Sequence, residues 1–123
     1  MSEPIFKYLA LGCSITEGRG KSSRYPDLVA SFLIKALPEK DVECIVQAFP
    51  GAVAGGSEEA CSQLGFTKVN TFKRIQNETL PLQPNLVTLS LGQPDSLQNF
   101  IPIEDFERYF ALILRSLAEN TPA

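Results

Sequence analysis

The chain has 123 residues, 44% apolar and 20% charged, with a formal net charge of −3 and no histidine. That length bounds one domain with one modest core, and the composition is that of a globular chain rather than a disordered or fibrous one. Lys and Arg are scattered without a basic stripe, which argues against a nucleic-acid partner, and no apolar run reaches the ~18 to 20 residues that span a bilayer.

The N-terminus, "MSEPIFKYL", has an acidic residue where a secretory leader would carry lysine, so a cytoplasmic setting is expected. Cys13, Cys44 and Cys61 show no CxxC or metal-like spacing. Neither a disulfide framework nor a metal site is expected, and Cys44 and Cys61 read as small core residues.

Three strand-then-helix units follow one another. Ile5 to Leu11 is a nearly continuous apolar run ending at Gly12, the pattern of a strand covered on both faces. A helix is predicted from near Pro26 to Leu37, with Leu28, Val29, Phe32, Leu33, Ala36 and Leu37 recurring at three and four and Pro38 as its stop. Val42 to Phe49 alternates more, as a strand at or near an edge does. The loop "FPGAVAGGS" leads into a less regular helical region from Ser57 to about Glu78, with a break expected at Gly65. Asn85 to Leu91 is the second strongly buried strand, ended by Gly92. The last helix carries Phe106, Tyr109, Phe110, Ile113, Leu114 and Leu117 in one stripe, with Glu104, Asp105 and Glu107 near its positive end.

The order βαβαβα implies parallel strands joined by right-handed crossovers. In such sheets ligands bind beyond the carboxyl ends of the strands, where the turns at Gly12, Gly51 and Gly92 all fall. Three readings compete at the first turn, "GCSITEGRGKS". Ser14 stands where a nucleophile is held up past a strand end, or it caps a short helix. A phosphate-binding loop ending at Gly20-Lys21-Ser22 would need glycine at position 15, where the chain has Ile15.

Taken together and in order, "ALGCSITEG", "FPGAVAGG" and "PNLVTLSLGQPDSL" resemble the first three sequence blocks of the SGNH, or GDSL-type, esterase and acylhydrolase family. Gly12, Ser14, Thr16 and Gly18 match the first block, with Cys13 in place of its aspartate. Gly51 matches the glycine whose amide lines the oxyanion hole. Gly92 and Asp95 match the third block, with Pro94 in place of its asparagine. The resemblance implies a three-layer, flavodoxin-like α/β fold with strand order 2-1-3-4-5, here one partial domain over 1–123. It implies Ser14 as nucleophile, the amides of Ser14 and Gly51 as oxyanion donors, an acyl ester as substrate, and no cofactor.

It also sets an expectation of incompetence. The family's base is a histidine in a C-terminal Asp-x-x-His block, and these residues contain none. A serine without its base typically loses about 10⁴ to 10⁶ in turnover, and losing one oxyanion donor costs about 10² to 10³ more. Proline at 94 has neither an amide nor a side-chain donor. Cys13 is expected to fill the aspartate's space, and Asp95 either to pair with Arg19, Lys21 or Arg24 or to cap its loop. With no fourth strand, Asn85 to Leu91 becomes an open edge, expected to self-associate, to receive a complementary C-terminal half, or to leave the chain unstable.

Overall fold

The computed structural model describes residues 4–13, 16, 24–48, 54–55, 70–91 and 103–123. Strand β1 (Ile5–Gly12) is followed by helix α1 (Tyr25–Ala36), strand β2 (Asp41–Ala48), a short helix α2 (Thr71–Arg74), strand β3 (Leu86–Ser90) and the long helix α3 (Ile103–Asn120). The sheet has the order β2-β1-β3 and is parallel throughout, with Gly12 aligned to Ala48 on one side and Ser90 on the other. This is the α/β arrangement expected from the sequence. Its strands end together, so the turns after β1, β2 and β3 leave from one end of the sheet.

β1 is central because it is the strand that tolerates burial on both faces. Tyr8, Leu9, Ala10 and Leu11 are all fully buried. Strand alternation sends Leu9 and Leu11 to one face, where they form a core with Ile75, Ala54 and, from α3, Ile113 and Leu117. The other face carries Tyr8, Ala10 and Gly12 and meets α1. There Pro26 and Ala30 are buried and the Cys44 thiol donates to the Pro26 carbonyl at 3.7 Å.

Two expectations about burial fail here. The apolar face of α1 is not the one the periodicity suggests: Phe32 is 74% exposed and Leu28 55%, while Pro26 and Ala30 face the sheet. The helix lies against β2, an outer strand, with Pro26 and Ala30 as its buried residues. Cys44 is exposed rather than in the core, because β2 borders the sheet.

Between β2 and β3 the chain is helical from Thr71 to Leu82, and the helical segment runs further than expected. After α2, whose first turn is capped by the Asn70 side chain accepting from the Lys73 amide, the chain widens into a π-helical turn at Ile75–Thr79 and then tightens into a 3₁₀ turn at Leu80–Leu82. Pro81 is tolerated because it stands in the first turn of that last segment, where an amide has no partner to lose. The residues from 56 to 69, including Gly65 and Cys61, lie outside the described residues.

Polar side chains fasten this segment to the sheet. Gln47 on β2 donates to the Glu78 carbonyl at 2.9 Å and accepts from the Thr79 hydroxyl at 2.6 Å. The Lys7 ammonium donates to the Leu82 carbonyl at 2.9 Å. Gln83, in the left-handed region at φ 51°, ends the segment, and its side-chain amide donates to the carbonyls of Leu80 and Asn120 at 2.9 and 2.7 Å. Those two bonds oppose the strain of a non-glycine residue there and tie the end of α3 to the entry of β3.

Burial of the Tyr8 phenol has a pH consequence. Its hydroxyl pairs with the Thr88 hydroxyl at 2.8 Å, joining β1 to β3 across the sheet face, and desolvation raises its pKa above the ordinary value of 10, the Thr88 bond opposing that rise. A group that holds its proton more tightly folded than unfolded adds stability that is complete below about pH 10 and is lost as pH rises through the higher folded value. Tyr8→Phe is expected to cost about 1 kcal/mol near neutrality. Urea titrations above pH 9 should show a shallower alkaline loss for the variant than for the parent chain.

Candidate functional site

Gly12 closes β1 at the point where the three strands end. A β-carbon on it would overlap the Thr16 hydroxyl and lie 2.6 Å from Thr16 Cβ and 3.0 Å from the Ser90 carbonyl oxygen. The absence of a side chain is therefore what lets the turn fold back over the end of the sheet. Thr16 is fully buried there, and its hydroxyl pairs at 3.1 Å with the phenol of Tyr25, the first residue of α1. Cys13, next in the chain, is 2% exposed with a free thiol. The turn is thus fixed on both sides of position 14, by a buried cysteine and by a threonine bonded to the start of α1.

Ser14 lies outside the described residues, as do Gly51, Gly92, Pro94 and Asp95. Of the residues singled out in the sequence, Gly12 and Cys13 are placed at the carboxyl end of the sheet, and Cys13 is buried there. Of the three cations considered for Asp95, Arg24 is described; its guanidinium Nε donates to Asp27 Oδ2 at 3.1 Å within the first turn of α1.

The second turn is anchored near its far end. Ala54 and Gly55 are buried, and the Ala54 carbonyl accepts the Phe72 amide at 2.8 Å, which ties the loop to the first turn of α2. A β-carbon at Gly55 would sit 2.6 Å from Tyr109 Cδ1. Glycine there allows α3 to lay Tyr109 directly on the loop, and the same ring meets Phe72 with centroids 5.5 Å apart. Spacing did not single out Tyr25 or Gly55. Tyr25 precedes Pro26 in an unremarkable helix start, and Gly55 is one of several glycines in a loop already rich in them.

Among the described residues no group of three or more His, Cys, Asp or Glu side chains is placed to hold a metal ion. None of the described helices is long and apolar enough to cross a membrane. Among the described residues the buried charge is Arg74, 9% exposed, whose guanidinium reaches the Thr71 hydroxyl at 3.4 Å and Glu78 at 3.8 Å. Desolvation holds its pKa below the ordinary arginine value, with Glu78 opposing.

Comparison with known proteins accords with this geometry. A family model described as GDSL-like Lipase/Acylhydrolase matches residues 8–123. Among solved structures, the chain is similar to the psychrotrophic esterase EstA from Pseudoalteromonas sp. (19% identity, TM-score 0.62), covering 94% of this chain and 55% of that one. It is similar to the acetylxylan esterase Axe2 from Geobacillus stearothermophilus (15%, TM-score 0.68; 100% and 59%) and to a GDSL-like lipase from Parabacteroides merdae (18%, TM-score 0.66; 99% and 57%). At these identities the likeness is one of fold. The chain spans a little over half the length of these structures. No curated protein matches the sequence significantly.

Proposed function

The chain belongs to the GDSL-like lipase/acylhydrolase family, and we propose that these 123 residues are the serine-bearing portion of a carboxylic-ester hydrolase site that does not turn over by itself. In this reading Ser14 stands at the nucleophile position and the amides of Ser14 and Gly51 point at the developing oxyanion. Gly12, Cys13, Gly92 and Asp95 support the turns around them. The substrate class is an acyl ester. The structures it resembles include esterases of acetylated xylan, which fits a small acyl group, and the free thiols of Cys13 and Cys44 fit a cytoplasmic setting.

A single observation carries the reading: a member of a serine hydrolase family with no histidine anywhere in the sequence. Attack by the Ser14 hydroxyl on an ester carbonyl transfers its proton to a base as the new C–O bond forms. Near neutral pH an unassisted hydroxyl is a weak nucleophile. Pro94 further removes a donor from the oxyanion position, which favours a second reading, a non-catalytic relative whose strand-end crevice binds a ligand or a partner.

With a short-chain p-nitrophenyl ester, release of nitrophenolate is expected to be the same for the parent chain and for Ser14→Ala. Turnover that disappears in the variant would mean that some other group in these residues serves as base, and the reading would fail. Equal, near-background rates combined with saturable binding of acetate or of a phosphonate anion, measured calorimetrically, would favour the second reading over the first.

A further inference from the structure

We infer that Tyr109 is a positioning residue for the turn after β2, the side chain that holds the Gly51 amide in register with a developing oxyanion. Gly51 has that part on the reading proposed above, and Tyr109 is added to it. Ala48 closes β2 beside Gly12 of β1, and Ala54 and Gly55 are buried. Five residues, 49–53, therefore join two fixed points, and Gly51 is the middle one.

The first point is secured by the sheet and the segment beside it. Gln47, one residue before the end of β2, accepts from the Thr79 hydroxyl at 2.6 Å and donates to the Glu78 carbonyl at 2.9 Å. The second point is secured by helices. The Ala54 carbonyl accepts the Phe72 amide at 2.8 Å, a bond that fixes a distance, while packing fixes the direction in which the chain leaves. Tyr109 supplies that packing. A β-carbon on Gly55 would overlap Tyr109 Cγ and lie 2.9 Å from its Cβ, so the root of the ring fills the space a side chain would take.

The ring is itself held. Phe72 meets it with centroids 5.5 Å apart and planes at 52°, and the Arg108 guanidinium lies 4.8 Å from its centroid and donates to its phenol oxygen at 3.0 Å. Phe72 thus bonds Ala54 through its amide and packs on Tyr109 through its ring, which links the two restraints at this end of the turn. Tyr109 is carried on α3, whose Ile113, one turn further on, is fully buried in the core. A rigid element therefore sets the end of the turn. An oxyanion donor acts only within about 3 Å of the developing charge, and a misplacement of ~1 Å can cost on the order of 10² in rate.

In the 123-residue chain the Gly51 amide can be followed directly by assigned proton–nitrogen correlation spectra. Tyr109→Ala removes the ring and keeps the helix propensity of α3. It is expected to displace the Gly51 cross-peak and to speed exchange of that amide about tenfold relative to the amides of β1. Tyr109→Phe keeps the ring and should restore the parent position and rate. Gly55→Ala, which forces loop and ring apart with Tyr109 intact, is expected to displace the same cross-peak. Tyr8→Phe, on the other face of the sheet, is the control for general loosening and should leave Gly51 unmoved. A Gly51 cross-peak unmoved by Tyr109→Ala would overturn the inference, as would one displaced as far by Tyr8→Phe. Ester turnover that depends on Ser14 would refute the inactivity proposed above and leave these spectra as they are, so the two failures are told apart.

Discussion

Ile113→Ala is expected to destabilise the chain by about 3 to 5 kcal/mol, enough to unfold much of the population at 37 °C. Ile113 is fully buried in the cluster that joins α3 to Leu9 and Leu11 of β1 and to Ile75. Removing three carbons there loses their transfer free energy and leaves a cavity that β1, held by pairing on both sides, cannot collapse to fill. A domain of this size has little stability to spare. Leu28→Ala is the control. It removes the same number of carbons from a helix but from a side chain 55% exposed, and it is expected to cost less than about 1 kcal/mol. Alanine favours the helix at both positions, so helix propensity cannot account for a difference between them. Thermal unfolding should separate the two variants by on the order of 10 °C.

The same contrast explains what could be read in advance. β1 and β3 were legible because strands in a parallel sheet repeat apolar residues without interruption, and α3 because its stripe is backed by a polar face. α1 was legible as a helix but not in its orientation. Leu28, Phe32 and Leu33 supply apolar periodicity over a wide arc, and periodicity cannot say which part of that arc meets the sheet. The answer depended on β2 being an outer strand, which brings Pro26 and Ala30 into contact and leaves Phe32 out. The wider and tighter turns from Ile75 to Leu82 are set by tertiary bonds, from Gln47 to Thr79 and Glu78 and from Lys7 to Leu82, that link residues far apart in sequence.

For the site, the glycine at the end of β1 was readable and its reason was not. Spacing marks Gly12 as a strand terminator, whereas the packing shows it accommodating Thr16. Tyr25 carried no signal, because a tyrosine nine residues beyond its threonine matches no motif and shows its use only when α1 is seen to start beside the turn. Ser14, Gly51, Gly92, Pro94 and Asp95 lie outside the described residues, so their roles rest on the family resemblance and on the chemistry of a serine without a base.

Gly12→Ala is the second large effect expected, about 2 to 4 kcal/mol of stability, and it bears directly on the turn that carries Ser14. Position 12 is paired with Ala48 and Ser90 on its two sides, so the backbone cannot withdraw, and Thr16 on the third side is fully buried. The added methyl group must displace Thr16, which breaks its bond to Tyr25 and frees the turn from α1. If the clash with the threonine side chain is the cause, Thr16→Gly, which removes the β-carbon as well as the hydroxyl, should on its own cost about 2 to 3 kcal/mol for the lost buried hydrogen bond, contacts and backbone restriction, while the pair Gly12→Ala with Thr16→Gly should be more stable than Gly12→Ala alone. Such a rescue has the sign opposite to two independent losses, and chemical denaturation of the four proteins reads it directly. An additive double variant would place the cost of a side chain at position 12 in the approach of the Ser90 carbonyl instead, and Thr16 would lose its part in holding the turn. Rescue would identify the close packing of Gly12 on Thr16 as what sets the path of the chain on either side of the serine, with Tyr25 as the residue that ties that path to the rest of the fold.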